Sequence, residues 1–260
     1  MTLFLRWKEI IQYRELLLNL IKKDIKIKYK NSILGFFWSL LNPIMMLFVY
    51  TIAFNIILRI KIENFPLFLF TGLVPWIFFH GSLTASASSI FTNANLVKKV
   101  YFPREIIPLS VVGANLFNFI MTMVIVFIVL LLYGIPVYSK ICLLIPIIVL
   151  HLLLTAGLSL IFSAITVKYR DVGHLLEVFL SALFYLTPII YPLDMIPEQY
   201  KTWIILNPLT AIITLYRRVL FETTLPSLDL WLIAAIVALV SIVIGHLVFN
   251  RLSPSFGDNL

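Results

Sequence analysis

The sequence predicts an all-α, polytopic membrane protein, and three observations carry that prediction. The 260 residues are 61% hydrophobic and 12% charged, with a mean hydropathy of +1.03. A soluble domain is about half apolar and about a quarter charged. Uncharged apolar runs of bilayer length recur along the chain. Basic residues gather at alternate ends of those runs, within a net charge of +8. This composition excludes a soluble enzyme, a disordered chain and a nucleic-acid binder. The single cysteine, Cys142, lies in an apolar run and gives no disulfide or metal signature.

The elements follow in order. Residues 1–30 form a charged arm. Charges run from Arg6 to Lys30 with no short apolar core and cleavage site behind them, so the start does not read as a secretory signal. Within the arm, Leu17, Leu18, Ile21, Ile25 and Tyr29 share one helical face, and Lys22, Lys26 and Lys30 form a ridge on another. That pattern predicts an amphipathic helix in the membrane interface, lysines toward anionic headgroups. Six spans follow, at 31–58, 65–97, 106–139, 141–167, 172–192 and 230–250. A membrane domain at 31–250 and a short tail at 251–260 complete the chain, with no repeat and no linker to a soluble domain. An even number of spans puts both termini on one side. Fourteen of the 20 basic residues fall on that side, which predicts that it is cytoplasmic. Arg59, Lys61, Lys140, Lys201, Arg217 and Arg218 remain outside.

Two connections are unusual. Residues 94–105 mix Lys98, Lys99 and Arg104 with Val97, Val100, Tyr101 and Phe102, next to a rigid Pro103 and Glu105. A solvated loop does not need an aromatic pair, so the segment reads as a short docking helix; the alternative is a loop folded back on its own bundle. Residues 192–221 hold two half-length apolar stretches interrupted by Pro192, Pro197 and Asn207-Pro208, with Trp203 between them. Stretches this short suit re-entrant helices, and broken backbone is tolerated at membrane depth only against protein or a wet cavity. The segment therefore reads as an outward-side gate, or else as a hairpin lying on the bilayer.

Polar groups inside the spans are few. Small residues from Gly81 to Ser89 favour close helix packing. His80, His151 and His246 each stand alone and read as hydrogen-bonded structure rather than metal ligands. Glu177 lies inside span five, three residues after His174, and a carboxylate at such a position marks a candidate buried charge; snorkelling to the surface is the alternative. Phe179, Tyr185 and Tyr191 are candidates to stack on sugar rings. There is no G-x-x-x-x-G-K-[ST] loop, H-E-x-x-H pair or G-x-S-x-G elbow, so no catalytic residue or metal site is assigned.

Five segments in order resemble the ABC-2-type permeases, nearest to the polysaccharide exporters of O-antigen, capsule and teichoic acid. They are residues 29–43 (YKNSILGFFWSLLNP), Lys99 to Glu105 with Pro108, Lys168-Tyr169-Arg170-Asp171, Thr187 to Pro192, and Asn207-Pro208-Leu209. The resemblance implies a homodimer forming a channel, with two copies of a separate ATP-binding subunit that holds ATP and Mg. This chain then carries no cofactor. It implies that Lys98, Lys99, Tyr101, Phe102, Arg104 and Glu105, with Tyr169, Arg170 and Asp171, form the coupling surface for that subunit. It implies that the arm lies where a lipid-linked glycan is taken up, with Lys26, Lys28, Lys30 and Arg104 near its diphosphate. Trp38, Phe179, Tyr185 and Tyr191 are expected along the channel. Pro192, Pro197, Trp203, Asn207 and Pro208 are expected in the gate. The setting implied is the inner membrane, with lipids as further partners. Two other readings are an ABC-2 permease for a small lipid or drug, and an intramembrane enzyme acting on lipid-linked sugars. The second would need a metal-binding acidic motif that the sequence does not contain.

Overall fold

The structure, a computed structural model, describes residues 9–30, 35, 37–59, 62–135 and 137–260, apart from the side chains of 137–139, 258 and 259. Arg6, Lys8 and Lys61, used in the charge reading, and residues 31–34 and 36 of the first expected span lie outside that set. The described residues are helical almost throughout and contain no strand. The helices are α1 (Arg14–Tyr29), α2 (Phe37–Tyr50), α3 (Phe65–Thr92), α4 (Ala94–Lys99), α5 (Ile106–Leu132), α6 (Leu144–Lys168), α7 (Val172–Leu186), α8 (Glu198–Ile205), α9 (Pro208–Leu220) and α10 (Leu228–Leu252).

Among the described residues, five stretches are long and apolar enough to cross a membrane. They are Phe37–Ile57, in which a π-helical segment Thr51–Ile57 extends α2, then Phe65–Thr92, Ile106–Leu132, Lys140–Lys168 and Leu228–Ser255. The run expected as the fifth of six spans is different. Its helix, α7, has 15 residues and covers about 22 Å, short of a hydrocarbon core of about 30 Å. The helix stops because Pro188 has no N–H and pushes Thr187 into extended backbone, at φ −98° and ψ 137°.

The bundle is built around α3. Most of this helix is buried, with Ala85 and Ser88 exposed and Ile77, His80, Gly81 and Thr84 half-buried along one face, and it packs on α5, α6 and α9. Phe184 secures α7 to it, stacked against Tyr50 of α2 at 5.5 Å and packed on Trp76 of α3 at 5.4 Å. His151 of α6 faces the same core. It is surrounded by the rings of Phe78, Phe119 and Tyr216 at 5.0, 6.1 and 5.8 Å. Neither of its ring nitrogens has a hydrogen-bond partner. His151 is thus held by aromatic packing and not by the hydrogen bond expected for it, whereas His246 does meet Asn250 at 2.7 Å.

The arm is more than a surface float. Lys22, Lys26 and Lys30 are exposed and Leu20 is buried, but α1 packs along α5. Ile21 sits over Gly113, where a Cβ would come within 2.6 Å of it. Lys23 donates to Asn93 at 2.9 Å, and Ser110 donates to Asp24 at 3.4 Å. Part of the apolar face is therefore covered by protein.

The closest helix crossing joins α6 and α10. A Cβ on Gly157 would strike the carbonyl of Ser241 and lie 2.6 Å from the Ile242 nitrogen; one on Gly245 would strike the Gly157 backbone. With no side chain at either position the two backbones touch, which is how helices associate where lipid supplies no hydrophobic drive. Gly245→Ala should therefore overpack the crossing at a cost of about 1–3 kcal/mol. The check is thermal unfolding in detergent: a clear fall in Tm is expected for Gly245→Ala and none for Gly257→Ala, where a Cβ meets nothing within 4 Å.

Candidate functional site

Three features of the bundle carry chemistry. The first is the end that holds both termini. A second apolar cluster there unites Ile10 and Leu20 of the arm, Val97 and Phe102 of the 94–105 segment, Val167 of α6, and Phe249 and Phe256 of α10 and the tail. α4 ends at Lys99, and the chain then runs extended through Val100 before the turn at Arg104 and Glu105. Phe102 and Glu105 are buried, at 5% and 1% exposure. Lys98, Lys99 and Val100 are exposed, and Tyr101, next in the chain, stands 86% exposed. The α6–α7 turn reaches the same end. Tyr169, Arg170 and Asp171 are exposed, Lys168 lies 5.2 Å over the Tyr169 ring, and Arg170 lies 5.2 Å over Phe91 at the end of α3. The sequence-predicted coupling residues thus share one surface, with Phe102 and Glu105 as its roots and Tyr101 as its projecting knob.

Arg104, expected both at the coupling surface and near a headgroup, is engaged by the C-terminal tail. Its guanidinium donates to the Ser253 carbonyl and lies 5.9 Å over the Phe256 ring. Phe256 in turn packs edge-on against Phe249 at 5.4 Å. The tail therefore clamps the turn that follows the knob. Sequence reading missed Ser253 and Phe256, because nothing local marks a tail that folds back by 149 positions.

The second feature is the broken segment after α7. Asn207 caps α9 by accepting from the Leu209 N–H at 3.0 Å, with Pro208 at the first helical position. Its amide also donates to Thr187 at 2.8 Å. Arg217 is buried at 4% exposure. It donates to the carbonyls of Pro188 at 2.8 Å and Ile189 at 3.0 Å, and its guanidinium lies 3.6 Å from the centre of the Phe68 ring. Gly72 leaves the room: a Cβ there would lie 3.0 Å from the guanidinium. Pro197 precedes α8, and Trp203 is 73% exposed on it. Tyr191 donates to the Tyr185 carbonyl at 2.7 Å, folding the segment back on α7. Leu186, Tyr191, Pro197, Tyr200 and Trp203 line an apolar hollow of about 430 Å³.

The buried charge is consequently Arg217, one of the six basic residues assigned to the outward side, and not Glu177. On α7 the positions Leu176, Leu180 and Phe184 face inward at spacings of four. Glu177 falls outside that stripe and is exposed, as is His174. His80 of α3 lies near enough to feel the Glu177 charge. Phe179 and Tyr185 are 55% and 60% exposed.

The third feature is a cleft of about 530 Å³ among α1, α2, α3 and α5. Its polar lining includes Lys28, Tyr29, Asn42, Asn115, Asn118 and Thr122, and its apolar lining includes Trp38, Phe78 and Phe119. Tyr29 donates to Asn118 at 2.5 Å. Partial desolvation lowers the Lys28 ammonium from its ordinary range. The spacing of Asn115 and Asn118, three apart in a span without charge, signals one polar face. Sequence reading passed over it in favour of carboxylates and histidines.

The tail clamp is testable. Phe256→Ala removes a side chain at 1% exposure, a loss of about 3 kcal/mol or more in a packed setting. Trypsin should then cut after Lys98 and Lys99 severalfold faster, and Phe256→Leu should keep most of the protection. Equal cleavage rates in all three proteins would show that the tail does not hold the loop.

Comparison with known proteins fits this arrangement. The chain is 34% identical over 257 residues to the O-antigen export system permease protein RfbA of Myxococcus xanthus, covering 97% of this chain and 98% of that one. It is 35% identical over 247 residues to the protein of the same name from Klebsiella pneumoniae, covering 95% of each. Similarity reaches the polysialic acid transport protein KpsM of Escherichia coli, 26% identical over 200 residues, or 75% of this chain and 77% of that one. Residues 15–221 match the ABC-2 type transporter family. That match runs from the arm through the end of α9 and takes in the knob, the cleft and the Arg217 strut, so the chain belongs to the ABC-2 type transporter family.

Proposed function

We propose that this chain is the channel-forming permease of an ATP-driven exporter that carries a polysaccharide, of O-antigen type on an undecaprenyl-diphosphate carrier, across the inner membrane. The observation that carries the reading is similarity along nearly the whole chain to permeases named for O-antigen export. A polysialic acid transport protein at lower identity points to the same class of cargo.

Two copies pair about a two-fold axis, as homo-oligomers commonly do. Their α2 and α7 faces meet across the channel. Both helices leave large apolar side chains uncovered in the single chain, among them Phe37, Trp38 and Phe48 on α2 and Val178, Phe179 and Tyr185 on α7. Aromatic faces with few fixed charges suit a neutral glycan, and Tyr191 extends that lining. α7 and the extended segment after it make the fifth of six crossings, and both termini lie in the cytoplasm. The arm rests in the interface with Lys26, Lys28 and Lys30 toward lipid phosphates. α8 and α9, with Pro192, Pro197, Trp203, Asn207 and Pro208, form the outward gate.

The engine is a separate subunit, two copies of which bind ATP and Mg; this chain has no phosphate-binding loop of the G-x-x-x-x-G-K-[ST] type. The subunit seats on Tyr101, flanked by Lys98 and Lys99, and on the turn from Tyr169 to Asp171. An exposed aromatic ringed by cations fits an apolar pocket with an acidic rim.

Purification from native membranes in mild detergent tests the assembly. A P-loop ATPase is expected in equal amounts with this chain, and a chain that repeatedly purifies alone would overturn the exporter reading. Lys98→Glu with Lys99→Glu should lower ATPase recovery at least about tenfold, given the cost of like charges across an interface. Unchanged recovery and export in that double variant would move the docking surface elsewhere.

A further inference from the structure

The exposed faces of the bundle are of two kinds. On α5 and α10 they are aliphatic, with Ile120, Val124 and Ile128 on the first and Leu232, Ile236 and Val240 on the second. Such faces suit lipid. The face shared by α3 and α7 is different. His174, Glu177 and Ser181 are exposed along α7, and Ser88 is exposed on α3 in line with the half-buried His80 and Thr84. Spacings of three and four put each set on one side of its helix. The two helices pack together, and His80 lies near enough to Glu177 to feel its charge. A carboxylate against hydrocarbon is costly, so this double line faces water.

The chemistry of the line is one-sided. The hydroxyls of Thr84, Ser88 and Ser181 donate to carbonyls of their own helices, at 2.9, 3.3 and 2.9 Å. Their oxygens keep lone pairs with which to accept, and the Glu177 carboxylate only accepts. The ring N–H groups of His80 and His174 are the donors along the line. Sugar hydroxyls are donors and fit such a surface. A carboxylate-bearing sugar brings further acceptors and a like charge. No cation in the wall offsets Glu177. Residues 37–57, 65–92 and 172–186, which make α2 with its π-helical extension, α3 and α7, contain no Lys, Arg or Asp and this single Glu. The nearest cations along the chain, Lys168 and Arg170, belong to the turn before α7 and lie over the rings of Tyr169 and Phe91.

We infer that this line is a water-facing wall of the transport path, and that Glu177 is a specificity-determining residue that admits uncharged, hydroxyl-rich glycans and turns back polyanionic ones. The inference rests on the export reading above and narrows its cargo. In a two-fold pair the carboxylate is present twice, so a polyanion meets like charge from both copies.

The test uses the full transporter, permease with its ATP-binding subunit, and has two arms. The first needs no cargo. With the exposed Cys142 replaced by Ser, Ser88→Cys and Ser181→Cys should react with a membrane-impermeant cationic methanethiosulfonate severalfold faster than Val240→Cys on the aliphatic face of α10. Equal rates at the three positions overturn the wall. The second arm follows ATP-dependent export in proteoliposomes. The probes are a mannose polymer and a sialic acid polymer of equal length, both on undecaprenyl diphosphate. Wild type should move the neutral polymer about tenfold better or more, the order expected for like charges brought together. Glu177→Gln keeps the volume and one acceptor oxygen, and should bring that ratio down about tenfold. Glu177→Asp should keep it. A merely structural role would lower export of both polymers together and leave the ratio where it was, so an unchanged ratio in Glu177→Gln overturns the selector. Movement of neither polymer, in a transporter whose wall cysteines react, removes the export reading instead.

Discussion

Backbone carbonyls enclosed in a bundle need donors, and those of Pro188 and Ile189 receive theirs from Arg217. The chain leaves helical geometry at Thr187, so these two groups have lost their place in any helical ladder. One guanidinium satisfies both, at 2.8 and 3.0 Å. Its charge is met by two carbonyl dipoles and by the face of Phe68, a contact worth about 2 kcal/mol or more when desolvated. The same strut fixes α9 inside the bundle. From Leu209 to Arg217 every residue of α9 is buried, and the helix packs against α3, α6 and α10. Without Arg217, the Pro188 and Ile189 carbonyls would lose their side-chain donor inside the bundle. Gly72 completes the arrangement by leaving the guanidinium its volume.

The opposite end is organised by a different economy. There, Tyr101 is exposed while its neighbour Phe102 is buried, so successive positions of an extended segment point to the surface and to the core. Arg104, the Ser253 carbonyl and Phe256 secure the base of that segment. A projecting side chain transmits force only if its root is rigid, and the cluster of arm, tail and α6 residues supplies that rigidity. The two ends are joined through α3, which packs on α9 near one end and leads into α4 at the other. α3 thus gives the 94–105 segment a continuous packed connection to the segment after α7.

Much of this was legible in the sequence because membrane insertion is a local, additive property. Long uncharged runs, the proline breaks at 188, 192 and 197, the Asn207-Pro208 helix start and the polar-apolar mixture of 94–105 each carry their physical cause within a few residues. His174 and Glu177 misled for the same reason. Each is unusual in its local run, but burial depends on which way a helix is turned, and α7 turns Glu177 outward. Asn115 and Asn118 show the reverse. They were readable as an i, i+3 pair, yet their meaning required Tyr29 and Asn42 from two other helices.

The sequence by itself determined that this is a helical membrane protein, where its five long apolar stretches lie and where its proline breaks fall. These follow from hydropathy, from backbone dihedral limits and from the alternation of basic residues, all of which act along the chain. The tertiary structure alone decided that Arg217 is interior and Glu177 is not, that Arg104 belongs to the tail, and that the arm closes one wall of a polar cleft. Those outcomes depend on contacts between residues 28 to 149 positions apart. No local pattern encodes such contacts, because a buried charge or an open cavity is a property of the space between helices.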